Sequence, residues 1–211
     1  MTQQPTKKIH VYELLKQAII SGEIKPGEIL NEANIARKYE IGKTPTREAL
    51  LLLSHENLLD SMPRLGYVVS RLTTRDLLEI YSLRILLESE AAGLAAERIS
   101  PEELAGLLEN NRLEAELFKG DHSSASSNQA YRLNHQFHGA IARISGNSRL
   151  EKMIGDLIDD LERALSFDPY IADPAQHVEI INSLKAHDKI RAQDAMKAHL
   201  NETRLRILKL F

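Results

Sequence analysis

Apolar side chains recur at a helical period through most of the chain, but the character of the runs changes about a third of the way along. Before residue 72 they are short and cut by Gly and Pro. Ile9, Tyr12, Leu15 and Ile19 share one face of a first helix, Ser21-Gly22 supplies its stop and Pro26-Gly27 a turn. Asn31 suits the N-cap of a second helix, which carries Ile35, Ala36 and Tyr39 and ends before Gly42. Thr44-Pro45 is expected to open a third, because a Thr oxygen can accept from free N–H groups and a Pro at the first position loses no hydrogen bond; Leu50, Leu53 and Leu58 continue it inward. Leu59 to Pro63 and Gly66 to Ser70 flank Arg64-Leu65-Gly66, and Tyr67-Val68-Val69 favours an extended strand, so a hairpin follows. Three short helices and a small hairpin describe a winged helix-turn-helix.

From Thr73 onward the helical period is sustained with few breakers, and no run of β-branched residues suggests a sheet. Helices are expected near 74–98, 101–119, 127–145, 148–167, 174–186 and 188–209, with breaks at Ser100-Pro101, Gly120-Asp121, Ser145-Gly146-Asn147 and Asp168-Pro169. The serine-rich stretch Ser123 to Ser127 reads as a loop or a frayed helix start. The fold class is therefore mainly α: an N-terminal winged helix-turn-helix with a small β-hairpin over 1–72, and a C-terminal all-α six-helix bundle over 73–211.

Composition narrows the chemistry. The 211 residues include no Cys, which excludes a disulfide framework, a thiolate nucleophile and any thiolate-bound metal; a metal would have to be held by His, Asp, Glu or Asn. The longest apolar stretch, around Ala49 to Leu53, is far short of the roughly 20 residues that span a bilayer. The first residues, Met1-Thr2-Gln3-Gln4, lead into an amphipathic segment without the apolar core of a secretory signal, so a cytoplasmic location is expected. A net charge of -3 argues against nucleic-acid binding until it is divided. Residues 1–72 carry ten basic against eight acidic side chains, and residues 73–211 carry 17 against 22. That asymmetry permits a small DNA-binding module joined to a domain with another task.

A helix-turn-helix presents the N-terminal side chains of its second helix to base edges, while neighbouring basic and hydroxyl groups fix the phosphates. Lys43, Thr44, Thr46 and Arg47 occupy that position. Arg47 could bond guanine bidentately or clamp a phosphate, and the threonines could bond phosphate or touch a thymine methyl. Arg37 and Lys38 are phosphate candidates; Arg64 at the hairpin tip could enter a minor groove, with Gly66 allowing close backbone approach. The plainer reading pairs Arg47 with Glu48 or Glu40. Ser21-Gly22, Lys25-Pro26-Gly27, Leu30, Ile35-Ala36 and Thr44-Pro45-Thr46-Arg47-Glu48-Ala49-Leu50 together resemble the winged-helix domain of GntR-family transcription regulators, over roughly residues 7 to 72. The chain departs from the family pattern at Gly42-Lys43, where Ser-Arg is usual, and at Leu51 and Leu52, where a basic residue is common.

Six of the eight histidines lie in the acidic half: His122, His135, His138, His177, His187 and His199. Asn134 and His138, four apart on one predicted helix, face the same side about 5 to 6 Å apart, close enough to share a cation. Spacing alone does not choose further ligands among His177, His187 and His199. The segment Asn134-His135-Gln136-Phe137-His138, then Ile144-Ser145-Gly146-Asn147, Leu150, His177 before Ile180-Ile181, and His199, resembles the helical effector domain of the FadR-type branch of GntR regulators. Six helices rather than seven resemble its VanR-like subgroup. That resemblance implies a divalent metal held by Asn134, His138, His177 and His199, zinc foremost, with nickel, cobalt, copper or manganese as alternatives. Asn in place of the commoner Asp removes one negative charge and weakens the site. It further implies a small carboxylate metabolite as effector, with Arg84 offering a planar fork to the carboxylate and Tyr131 lining the pocket; the plainer alternatives are an Arg84 at the surface or paired with Glu88, and a Tyr131 in the core. A homodimer reading a pseudo-palindromic double-stranded operator completes the expectation, with repression as the default. Two rivals stand beside it. One is a metallohydrolase, since three histidines can also generate zinc-bound hydroxide; the other is a winged helix on a purely structural dimerisation domain.

Overall fold

Val11, Leu15, Ala18 and Ile19 fall on one side of α1 (Lys7–Ile20) and are all buried, so the buried face keeps Leu15 and Ile19 of the expected one but turns toward Val11 and Ala18, leaving Ile9 exposed and Tyr12 half-buried. The computed structural model describes residues 7–118, 124–165 and 174–208, and divides into two compact units between Leu72 and Thr73. In the first unit α1 is followed by β1 (Ile29–Leu30), α2 (Glu32–Lys38), α3 (Lys43–His55), β2 (Leu59–Met62) and β3 (Gly66–Val69). Asn31 caps α2 as expected, its side chain accepting from the Ala33 N–H at 2.9 Å. α3 begins two residues earlier than expected: Gly42 is its N-cap, without a side-chain hydrogen bond, and Thr44 is therefore not the cap. Pro45 still lies in the first turn, where N–H groups have no helical partner.

The hairpin is present, with Leu59 opposite Val69 and Met62 opposite Gly66, but the sheet has a third strand. β1 pairs antiparallel with β3, Ile29 opposite Val68 and Leu30 opposite Tyr67, giving the order β1-β3-β2. Gly27 N–H donates to the Val69 carbonyl at 2.8 Å and Val69 N–H to the Glu28 carbonyl at 2.9 Å. Two residues are too few to show an alternating pattern, so only these long-range bonds reveal the strand. One core joins α1, α2, α3 and the sheet through Leu15, Ile19, Ile35, Leu50, Leu53, Leu59, Tyr67 and Val69.

The second unit contains, among the described residues, six α-helices: α4 (Thr74–Ala96), α5 (Pro101–Phe118), α6 (Ser124–Ile144), α7 (Ser148–Leu165), α8 (His177–Lys185) and α9 (Lys189–Ile207). Thr73 and Asp76 form a capping box at the start of α4, each side chain answering a backbone N–H of the other. α6 starts at Ser124, so most of the stretch expected as loop is helical. Residues 174–176 form a 3-10 turn ahead of α8. The expected breaks at Gly120-Asp121 and Asp168-Pro169 fall outside the described residues, as does His122. Leu77, Tyr81, Phe137, Ile141, Ile180, Leu184, Met196 and Leu200 form the main core between α4, α6, α8 and α9. α7 is held by a separate cluster of Ile154 and Ile158 against Ala91 and Ala142. None of the described helices is long and apolar enough to cross a membrane.

Gly66 has φ +108, and a Cβ built there would lie 2.6 Å from the Leu30 carbonyl oxygen. Gly66→Ala is expected to destabilise the first unit by about 2 kcal/mol, from backbone strain and loss of the β1 pairing. Denaturant unfolding with the wild type as reference measures it.

Candidate functional site

In the winged unit the expected DNA-contacting side chains sort by exposure. Lys43, Thr44 and Arg47 are exposed on the first turns of α3, and Arg37 and Lys38 are exposed at the end of α2. Arg64 is exposed between β2 and β3 with φ +69. Thr46 is different: it is fully buried and its hydroxyl donates to the Gly42 carbonyl at 3.0 Å, so it secures the start of α3 and offers nothing to a duplex. Gly66 serves the strand pairing described above. The plainer reading of Arg47 is not realised, since Glu48 lies 3.5 Å from Lys8 and Arg47 makes no ion pair with a described residue. Leu51 is 41% exposed on the same helix.

The second unit gathers its buried polar side chains at one place. His138, at 1% exposure, comes from α6, His177 (0%) opens α8 and His199 (5%) lies on α9. One ring nitrogen from each falls within 4.8 Å of the others. Asn134, one turn before His138 on α6, is also buried, and its Nδ2 lies 3.5 Å from His177 Nε2. Rotation of the amide puts its oxygen there instead. His135 faces elsewhere and contacts Asp159 at 3.0 Å. His187 is exposed with its Nδ1 2.8 Å from the Ala96 carbonyl oxygen. The fold thus brings His177 and His199 to His138 and leaves His187 out.

What stands behind the three rings fixes how they point. His138 Nδ1 lies 2.5 Å from Glu88 Oε2, His177 Nδ1 lies 2.9 Å from Glu114 Oε2, and His199 Nδ1 lies 3.0 Å from Gln176 Oε1. These partners accept, so each Nδ1 carries a proton and each Nε2 is the nitrogen left to face the cluster. With both rings neutral, His138 Nε2 and His199 Nε2 face one another at 3.3 Å with no hydrogen between them. Two such acceptors repel unless a cation lies between, and ~3.3 Å is the separation of two nitrogens bound tetrahedrally to zinc at ~2.0 Å. Phe137 stacks on His177 with centroids 4.0 Å apart and fixes that ring's plane. The donor set fits a divalent metal: three neutral imidazoles and an amide oxygen, each imidazole oriented by a hydrogen bond.

Electrostatics reinforce the arrangement. Burial pushes the Glu88 carboxyl up, but the Arg84 guanidinium and the His138 ring outweigh it and hold the group at about 2. Burial lowers His138 despite the opposing pull of Glu88, and lowers His199 well below its ordinary value, with His177 and His138 adding to the effect. Both shifts favour the neutral ring that a metal requires. Arg84, 3% exposed, donates its Nε to Glu88 Oε1 at 2.5 Å and lies over the Tyr81 ring. Its pairing with Glu88 is the plainer alternative to a role facing the cavity, and the two Nη groups make no hydrogen bond to a described residue. Tyr131 is buried on α6 with its hydroxyl 3.4 Å from the Ile158 carbonyl. Sequence reading missed Glu114 and Gln176 and saw Glu88 only as a partner for Arg84. A signal for Glu114 existed, because it shares the inward face of α5 with Leu104, Leu107 and Asn111 at helical spacing.

Exposed cations on the second helix of a helix-turn-helix, in a chain that also folds a helical bundle, define a DNA-binding regulator by form. Comparison supplies the family. Residues 7–69 match the family of bacterial regulatory proteins named gntR, and residues 79–202 match the FCD domain. The chain belongs to the GntR family of transcriptional regulators, in its FCD-containing branch. It is 32% identical over 199 residues to the HTH-type transcriptional regulator YdhC of Bacillus subtilis (strain 168), covering 92% of this chain and 87% of that one. It is 31% identical to the HTH-type transcriptional repressor GlaR of Escherichia coli (strain K12), covering 90% of each. Among solved structures, E. coli McbR/YncC superposes with a TM-score of 0.80 at 29% identity, over 98% of this chain and 99% of the other. The families and relatives are transcriptional regulators, not enzymes, which removes the metallohydrolase reading.

The Glu88 shift has a pH signature. A folded value near 2 against an ordinary 4.5 contributes stability that is present above pH 4.5 and lost as pH falls toward 2, about 3 kcal/mol from this group. Denaturant unfolding of metal-free protein between about pH 6 and about pH 2 should show that fall. Glu88→Gln should start less stable, because Arg84 keeps its charge without a partner, and should fall less steeply.

Proposed function

We propose that the protein is an operator-binding regulator, acting as a repressor, whose helical unit holds a divalent metal and senses a small carboxylate. One observation carries the reading: three buried imidazoles aim their Nε2 atoms at one point, each held by a hydrogen bond at Nδ1. Asn134, His138, His177 and His199 are the proposed ligands. A bound divalent cation would supply fixed positive charge and open coordination positions for an anionic ligand. The chain does the rest. Glu88, Glu114 and Gln176 orient the rings, Tyr131 and Phe137 exclude water from the space beside them, and the Nη groups of Arg84 are the proposed fork for the carboxylate. Zinc suits the tetrahedral spacing, although nickel, cobalt, copper and manganese share these ligands.

DNA recognition is assigned to Arg47, Lys43 and Thr44 on α3, with Arg37, Lys38 and Arg64 on phosphates or in a minor groove. A homodimer would place two recognition helices on a two-fold axis against a pseudo-palindromic operator. Repression is supported by the name of the relative GlaR. The site draws side chains from α4, α5, α6, α8 and α9, so a ligand there bears on the packing of five helices at once. Its effect on operator affinity is bounded by its differential affinity for the two packings.

Three measurements test the proposal. Elemental analysis of untagged protein purified without chelator should find about one metal per chain, and His138→Ala should lose both the metal and the melting temperature it confers. A wild type that contains none and takes up none would sink the sensor. Arg47→Ala should weaken binding to the operator by about tenfold or more while folding is retained; an unchanged affinity at physiological salt refutes its role.

A further inference from the structure

The proposed ligand set is electrically neutral. Asn134 and three imidazoles with neutral rings bring no anion to a divalent cation, and a cation placed among neutral donors in a protein interior is poorly compensated. Among the described residues two carboxylates touch the ligands, and they are not equivalent. Glu88 has its counter-charge already, with the guanidinium of Arg84 at 2.5 Å. Glu114 has none. It is 0% exposed, its Oε2 holds His177 Nδ1 at 2.9 Å, and its Oε1 is buried without a hydrogen-bond partner. A fold keeps such an oxygen at a cost unless something offsets it.

We propose that Glu114 supplies the negative charge that the ligand set lacks, and that this carboxylate behind His177 sets the affinity of the site for a divalent cation. The inference rests on the metal reading above. It makes Glu114 a positioning residue with a second task, since a group that only turned His177 would need an acceptor and no charge. Glu114→Gln separates the two tasks: its amide oxygen still accepts from Nδ1, its shape is nearly the same, and the charge is gone. Glu114 and Asn134 should then trade with one another, because an anion introduced at Asn134 makes the one at Glu114 less necessary.

The test is zinc affinity, measured on the full chain stripped by chelator and titrated with Zn2+ against a chromophoric competitor. Circular dichroism and the metal-free melting temperature serve as folding controls. Wild type should bind, E114Q should bind 10- to 100-fold more weakly, N134D should bind more tightly, and E114Q should cost less in the N134D background than alone. Wild-type binding with no loss in E114Q, which a purely orienting Glu114 would give, overturns the assignment, and so does a loss of the same size in both backgrounds. If E114Q does not fold, N134D decides alone: an affinity no higher than wild type overturns the proposal. Failure of the wild type to bind zinc or any other divalent ion instead rejects the metal reading on which it rests.

Discussion

Arg84 and Glu88 stand one turn apart on α4 with side chains only 4% and 2% exposed, and neither charge could be held there without the other. Breaking such a pair from one side leaves an uncompensated charge in the interior, so the turn of α4 that carries it can take only one rotation. Glu88 passes the constraint on, since its second oxygen takes the Nδ1 of His138 and thereby fixes the face that α6 turns toward α4. From His138 the contacts run to His199 on α9 and, by way of the Phe137 ring beside it, to His177 on α8. Apolar packing holds the helices together, but aliphatic side chains tolerate small rotations that this chain of polar contacts does not.

The two units handle charge in opposite ways. On the winged unit the cations of α2, α3 and the hairpin are exposed, as a surface that must meet phosphates requires. In the helical unit the decisive charges are withdrawn from water and meet side chains of their own chain. The mild basic excess of residues 1–72 and acidic excess of 73–211 reflect this only faintly, because net charge does not distinguish a solvated carboxylate from a buried one.

Much of the fold was legible, and the reasons differ by element. α1, α2, the hairpin and the six later helices announced themselves through period, Asn31 and the Gly and Pro stops, which act locally. β1 did not, because its pairing with β3 is created by chain closure around Gly27 and Val69. Thr44 and Thr46 are the same residue type two apart in sequence, yet the helix turns one outward and the other onto Gly42; the two-residue shift of the helix start decides which. At the histidine cluster spacing gave Asn134 with His138, whereas the choice of His177 and His199 came from resemblance to the family. Their partners Glu114 and Gln176 were hidden, since a Glu in the acid-rich α5 differs from its neighbours only in the direction it faces.

His199 lies on α9, the last helix described, and reaches partners on α6 and in the turn before α8. The nitrogen cluster therefore exists only when α9 has docked onto α6 and onto the turn before α8. A cation that needs all three rings cannot assist the early steps of folding and can only hold the finished bundle shut. On the metal reading proposed above, its influence would belong to the rate at which the bundle comes apart rather than the rate at which it forms, and a loaded molecule would be long-lived rather than quick to assemble.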